Sequence, residues 1–441
     1  MLEPLRNHTY RRLFAAQVIA LVGTGLLTVA LGLLAYDLAG GEAGAVLGTA
    51  LAMKMIAYVG VSPIAGAVAG MLPRRAMLVA LDLVRAAIAL FLPFVDQVWQ
   101  IYVLIFMLQS ASAAFTPTFQ ATIPDILPEE KDYTKALSLS RLAYDLETLL
   151  SPALAAALLT VMSFHNLFAG TALGFLLSAA FVLTVVLPKP KAMQAMSFAR
   201  RLTHGARIYL ATPRLRGLLA LNLAAAAGIA IVFVNTVVIV RDRLGLGDSD
   251  VAITLASFGL GSMAAAFALP RMLEKFSDRS VMLSGAALMT APLLGAAFAL
   301  WRLQGAAAWT SVLIAWLILG AAYAMVVTPA GRLLRRSAKE GDRPALFAAQ
   351  FALSHACWLV TYPMSGWLGA AVGLPLTLMV HATLTLLATM LALRLWPAAD
   401  SEIIEHVHTD LPLSHPHLHD QGGPRHAHIF VIDDLHRRWP A

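Results

Sequence analysis

The sequence predicts an all-α membrane protein with twelve transmembrane helices in two pseudo-symmetric six-helix bundles. Three observations lead there. Of 441 residues, 59% are apolar and only 13% charged, about half the ~25% charged share of a soluble domain. The apolar residues fall in twelve runs, each near the ~20 residues a helix needs to cross a ~30 Å hydrocarbon core. The basic residues lie between those runs, mostly on one side. A single water-soluble core cannot bury so much apolar sequence, so soluble enzymes and regulators are excluded. The net charge of +7 is then a topology signal and not a nucleic-acid surface.

In order, the runs lie at 13–36, 44–71, 76–94, 98–117, 136–161, 166–187, 217–240, 251–270, 281–300, 308–329, 345–370 and 374–396. The first is too long for the apolar region of a cleavable leader and is expected to stay in the mature protein. With the N-terminus inside, the inner segments before the last span hold 22 Lys and Arg, against three outside: Arg241, Arg243 and Arg302. That bias places both termini in the cytoplasm; a bacterial inner (plasma) membrane is the expected location.

The chain divides into an N-terminal bundle (1–187), a basic cytoplasmic central loop (188–216), a C-terminal bundle (217–396) and a histidine-rich cytoplasmic tail (397–441). Leu72-Pro73-Arg74 closes span two as Leu269-Pro270-Arg271 closes span eight. Thr116-Pro117 and Thr328-Pro329 close spans four and ten. These echoes point to a duplicated bundle, an architecture of secondary transporters. The single cysteine, Cys357, forms no intrachain disulfide and no CxxC motif.

Ionisable groups at bilayer depth are costly and mark pathways. At about 100° per residue, Arg141, Tyr144, Asp145, Glu147, Thr148 and Ser151 fall in roughly a 160° arc of span five, opposite a face of leucines. Asp145 and Glu147 lie near the midplane at opposite edges of that arc, so they do not chelate one ion from one side. Arg141 and Asp145, spaced i,i+4, are expected to pair, leaving Glu147 as the better proton or cation acceptor. The alternative is an ion-pair network that locks spans five and eight. Lys54, in mid-span two, shares a stripe with Tyr58 and Ser62 and is either a pathway residue or a static counter-charge to span five. His355 leads a weaker polar stripe in span eleven, with Trp358, Thr361, Tyr362 and Ser365. His381 in span twelve is expected to be structural.

Eight of the 13 histidines lie in the last 36 residues. His406, His408, His415, His417, His419, His426 and His428 form the candidate metal set, and His436 stands apart from it. Imidazole suits Ni²⁺, Co²⁺, Cu²⁺ and Zn²⁺. Residues i and i+2 of an extended chain project to one side about 7 Å apart, so an H-x-H pair closes on an ion only after the chain bends. An unstructured tail is therefore expected to bind modestly and unselectively. The other reading is a solvated, pH-sensing spacer. The apolar close, Phe430 to Trp439, is expected to dock on the cytoplasmic face.

Twelve spans, a six-plus-six split and a long basic central loop resemble the major facilitator superfamily over roughly residues 6–396. The segment Gly66 to Arg75 resembles its signature loop, with Gly70 where the family places an aspartate. Arg74, Arg75, Asp82 and Arg85 are then the gating-loop candidates, Asp82 and Arg85 as an i,i+3 pair at the cytoplasmic edge. Gln109 to Ala114 resembles the proton-coupling motif, with Phe106 in place of its arginine. Glu147-x-x-x-Ser151-Pro152 resembles the proline motif of the family's exporters. Among relatives, the histidine-rich tail resembles that of bacterial nickel-resistance permeases, and the core resembles enterobactin and drug pumps. The family fold implies that Gln17, Thr24, Gln109, Asn222, Asn235, Trp316 and Tyr323 line a central cavity.

The expected function is a proton-coupled efflux permease for a small solute, either a drug-like or siderophore-like compound or a divalent metal such as nickel. It is expected to act as a monomer, with no nucleic-acid partner and no cofactor beyond a proton gradient and a transition metal on the tail. The sequence shows no nucleotide-binding GxxxxGK[ST] loop and no HExxH or GxSxG constellation. The alternative class is a polytopic sensor of metal or pH that transports nothing.

Overall fold

A computed structural model of the chain describes residues 3–68, 73–187, 198–339, 342–400, 403–408, 417–418, 423–433, 435–436 and 438–440. Its helices are α1 (His8–Ala39), α2 (Ala43–Val68), α3 (Arg74–Phe91), α4 (Val98–Ile126), α5 (Glu130–Leu159), α6 (His165–Leu183), α7 (Phe198–Ala211), α8 (Pro213–Val237), α9 (Asp248–Lys275), α10 (Asp278–Leu288), α11 (Thr290–Arg302), α12 (Gly305–Val327), α13 (Ala330–Arg336), α14 (Arg343–Val372) and α15 (Leu374–Leu395).

Among the described residues, ten helical segments are long and apolar enough to cross a membrane. One of them, 8–61, is two helices: α1 and α2 are separated by a 3₁₀ turn at Gly40–Glu42, where Gly40 takes a φ of 52°. The remaining crossing is α5, whose first half is charged. Its second half, Leu150–Leu159, is apolar. The ninth crossing is α10 followed by α11. Pro292 has no N–H to give the carbonyl four residues back, and the helix breaks there, around Met289. Asn7 caps α1 by accepting from the backbone N–H of Tyr10 at 3.0 Å. Gly373, at φ 84°, turns α14 into α15.

Packing follows the two-fold pattern of a duplicated bundle. Within the N-terminal half, α1 and α3 pack on α6 and α2 on α4; within the C-terminal half, α9 packs on α12 and α8 on α15. Between halves, the second span of each meets the fifth span of the other, α2 on α14 and α5 on α9. The α2–α14 crossing has no room for side chains. A Cβ on Gly48 would lie 2.5 Å from the Tyr362 carbonyl oxygen, and one on Gly366 would overlap the backbone of Gly44. This seal sits at the end of the bundle away from the chain termini, called the far end below. The other, which bears α7, α13 and both termini, is the basic end. Near the far end, Phe94, Trp99 and Trp301 face outward, as interfacial aromatics do.

The all-α expectation needs one addition. Ile403–Val407 (β1) and Arg425–Ile429 (β2) pair antiparallel, with His406 opposite His426. The H-x-H spacing is also a period-2 strand pattern, and pairing satisfies backbone groups that an unstructured tail would leave to water.

Candidate functional site

Lys54 of α2 and Glu147 of α5 attract one another across the N-terminal half, and both are partly exposed. The Glu147 carboxylate lies against Gly25 of α1: a Cβ there would stand 3.4 Å from Oε1 and would overlap Ser151. The missing side chain lets α5 seat deeply enough to present Glu147. The Lys54 Nζ lies 5.6 Å from the centre of the Tyr58 ring, close enough for a cation–π attraction.

Tyr58 carries this cluster across to the other half. Its ring meets His355 at 5.4 Å and Phe351 at 5.9 Å, both on α14. His355 gives its Nδ1–H to the Phe351 carbonyl at 2.6 Å, which leaves Nε2 as its free acceptor. The stripe continues as Trp358, stacked near Tyr362 at 4.9 Å and flanked by Tyr323 and Phe233. Exposure along it falls from 39% at Phe351 to 9% at Tyr362 and 0% at Ser365. The space between the halves therefore widens toward the basic end and is shut at the far end.

Other predicted pathway residues are placed as follows. Tyr144 hydrogen-bonds with Thr116 and Gln17, tying α5 to α4 and α1. The side chains of Arg141 and Asp145 lie outside the described residues. Gln109 is buried in α4. Asn222 donates to Gln350 Oε1 at 3.3 Å, which also accepts from the Tyr209 hydroxyl at 2.5 Å. Asn235 departs from the cavity-lining expectation. It is buried in the far-end seal and donates to the Ser365 carbonyl at 3.0 Å and hydroxyl at 2.9 Å, so its amide holds α8 to α14. His381 is buried and bonded to the Ala227 carbonyl, a packing role. Phe351, Gln350 and Tyr209 escape the sequence reading because nothing in one helix reveals a partner in another.

The placement of two gating-loop candidates is corrected. Asp82 and Arg85 do not sit at an edge: they form a fully enclosed ion pair inside the N-terminal half. Ser178 of α6 donates to Asp82 at 2.7 Å, and the Arg85 guanidinium lies over Phe115 and Phe175 at 4.1 and 4.5 Å. Arg74 pairs with Asp125 of α4 at 2.5 Å, again within one half. Arg75 is exposed, and 69–72 lie outside the described residues.

The tail forms a second constellation. His406, His408, His417 and His426 offer ligand nitrogens within 4.8 Å of one another, and so do His406, His417, His428 and His436. His436 has no H-x-H partner to mark it as a member of the set. Its signal is Asp433, three residues before it, whose Oδ1 accepts from the ring Nδ1–H at 2.9 Å, the carboxylate support that orients metal-ligating histidines. His415 and His419 lie outside the described residues. Burial, with the neighbouring rings adding to it, lowers the pKa of His406 and holds that of His417 down to about 4. Asp433 is pulled below the usual carboxylate range by its bonds to His436 and Lys339, against the opposing effect of burial.

The tail is docked on the C-terminal half, as its apolar close suggested. Phe430 and Ile432 are buried, Lys339 pairs with Asp433 at 2.6 Å, and Arg214 lies over Trp439 at 5.1 Å. Asp400 binds Arg214 at 3.1 Å, accepts from the Trp396 indole at 3.0 Å and pairs with Arg336.

Comparison with known proteins agrees with this architecture. Macrolide efflux protein A of Streptococcus pyogenes is 26% identical over 182 residues, 40% of this chain and 44% of that protein. The Enterococcus faecalis protein of that name is 28% identical over 153 residues, 32% of this chain and 47% of its own. The matched region thus spans less than half the length of these relatives. Among solved structures, a bacterial homologue of the human lysosomal transporter Spinster aligns with a TM-score of 0.70 at 13% identity, covering 89% of this chain and 97% of that one. A D-xylose–proton symporter aligns with a TM-score of 0.67 at 16% identity, covering 89% and 98%. At such identity these two report the fold alone. The family pattern described as Major Facilitator Superfamily matches residues 13–247 and 218–418. This multi-pass membrane protein, a transport protein and not an enzyme, therefore belongs to the major facilitator superfamily.

Proposed function

We propose that the protein is a proton-coupled exporter of amphiphilic organic compounds. It acts as a monomer in a bacterial plasma membrane, with both termini in the cytoplasm. The observation that carries this reading is the Glu147–Lys54 pair set beside an aromatic stripe that bridges the two halves. A carboxylate within electrostatic reach of an ammonium at mid-membrane can exchange that attraction for a proton or a cationic solute, the differential interaction an alternating-access cycle needs. Tyr58, His355 and Trp358 offer flat faces with polar tips and Phe351 a wholly apolar one, which suits an amphiphile.

A bare divalent ion as cargo needs several ligating groups converging on it. Among the described residues, such groups gather only in the tail. Similarity to the macrolide efflux proteins supports export over uptake. With the basic end in the cytoplasm, the pathway opens inward and the α2–α14 seal closes it outward.

The test is growth of cells making the wild-type chain or Glu147→Gln across macrolides, other amphiphilic antibiotics and nickel or cobalt salts. The reading expects resistance to one or more organic compounds that the variant loses. Equal sensitivity of the two strains to every organic compound would overturn it, and resistance confined to the metal salts would move the cargo to the metal class.

A further inference from the structure

Among the described residues, six imidazoles of the tail stand around one point: those of His406, His408, His417, His426, His428 and His436. Each ring has its centroid 4.7–5.3 Å from every other ring except one, and the excepted pairs are His406 with His417, His408 with His428, and His426 with His436. An octahedron has this pattern, in which every vertex adjoins all others save the one opposite.

The nitrogens agree. Neighbouring Nε2 atoms lie 3.2 Å apart for His406 and His408, 3.2 Å for His406 and His436, and 3.1 Å for His417 and His426. An octahedron with such edges has its vertices about 2.2 Å from the centre and about 4.5 Å from the vertex opposite, whereas four-coordinate zinc with bonds of about 2.0–2.1 Å would need edges of about 3.3–3.4 Å. The ligand atoms of the opposite pair His406 and His417 do lie within 4.8 Å.

The ring tautomers also point inward. His406, His426, His428 and His436 give their Nδ1–H to the Ile404, Gly423 and Ile429 carbonyls and to Asp433, at 3.0, 2.7, 2.7 and 2.9 Å. Each is left with an Nε2 lone pair aimed at its neighbours. His428 Nε2 is buried with no hydrogen-bond partner, a cost that an ion at the centre would remove. A shallow groove lined by Lys339, His417, His428, Asp433 and His436 reaches the cluster from solvent, which supplies a way in.

We propose that the tail is a resident binding site for one divalent transition-metal ion held octahedrally by the Nε2 atoms of His406, His408, His417, His426, His428 and His436. Six neutral nitrogens in an octahedron favour Ni²⁺ or Co²⁺. Structural zinc is almost always four-coordinate, Cu²⁺ prefers a tetragonal set, and Mg²⁺ and Ca²⁺ take oxygen. The bound ion fixes the His436 ring and, through Asp433 and Lys339, secures the tail to the loop before α14. The site lies outside the membrane pathway and stands or falls independently of the cargo.

The experiment uses the full chain in detergent or nanodiscs, purified without an added histidine tag and titrated with Co²⁺, then Ni²⁺. The expected result is one ion per chain, weak visible bands of six-coordinate Co²⁺, and an X-ray absorption shell of six nitrogens with an imidazole signature. His428→Ala should weaken binding at least tenfold and change the spectrum. Glu405→Gln, on the outer face of β1, should change neither, and thermal unfolding of both variants shows that the chain is folded. No binding by the folded wild-type chain, an intense four-coordinate Co²⁺ spectrum, or binding that His428→Ala leaves intact would each overturn the proposal.

Discussion

His436 donates its Nδ1–H to Asp433 Oδ1 at 2.9 Å while its Nε2 stands 3.2 Å from that of His406. One side chain thereby joins the imidazole cluster to the carboxylate that pairs with Lys339. Removing the carboxylate with Asp433→Ala should free both the ring and the lysine. Metal affinity is expected to fall by about 10–100-fold, the usual cost of losing such a support, and limited proteolysis should cut the tail faster. Calorimetric titration with Ni²⁺ and a protease time course measure the two effects.

Arg214, nearly completely buried, is held by Asp400, Ser337 and the Trp439 ring. Asp400→Ala removes at once the carboxylate contact made by Arg214, Arg336 and the Trp396 indole. The junction of α15 with the tail should become the first site cut by proteinase K, with cleavage elsewhere in the bundle unchanged. Peptide mapping of the early fragments checks this.

The Asp82–Arg85 pair is enclosed by α3, α4 and α6, so removing one partner strands a charge. Asp82→Leu should cost about 3–5 kcal/mol, and the apolar double variant Asp82→Leu with Arg85→Met should regain most of it. The measurement is thermal unfolding of the purified protein. A gating role would instead impair transport in both variants with little change in stability.

The α2–α14 seal depends on backbone contact at Gly44, Gly48 and Gly366. Gly366→Val adds a side chain where a Cβ already overlaps, so overpacking of about 1–3 kcal/mol is expected, falling on the closed far end alone. A cysteine placed at Asn235 should become more reactive to a water-soluble maleimide in this variant than in its parent.

Much of the fold is legible in the sequence because lipid imposes a simple rule. Every backbone polar group must be paired inside its own helix, so span length and charge placement carry the architecture; most of the runs match the helices closely, but α4 continues to Ile126 beyond the run 98–117 and α5 begins at Glu130 before the run 136–161. Glu147 and Lys54 stand out because a charge at that depth is too costly to keep without a role. The surroundings of the Asp82–Arg85 pair are not legible: helical spacing shows that two side chains meet but not what encloses them, and Ser178, Phe115 and Phe175 come from other helices. Asn235 is assigned to the cavity by fold-level analogy alone, whereas its bonds to Ser365 depend on how closely α8 approaches α14. In the tail, the H-x-H alternation reads as extended chain, but pairing of β1 with β2 joins segments separated by a long connection. The octahedron is a property of that pairing and not of any local spacing.

The central claim is that Glu147 exchanges a proton for cargo in a passage between the halves. Its most direct test is transport, by proteoliposomes under an imposed pH gradient, of the organic compound to which the wild-type chain gives resistance, comparing that chain with Glu147→Gln. The account predicts uphill transport by the wild type that collapses when the gradient is dissipated, and facilitated movement without accumulation by the variant. Accumulation by the variant equal to wild type, at the same pH gradient, would contradict it.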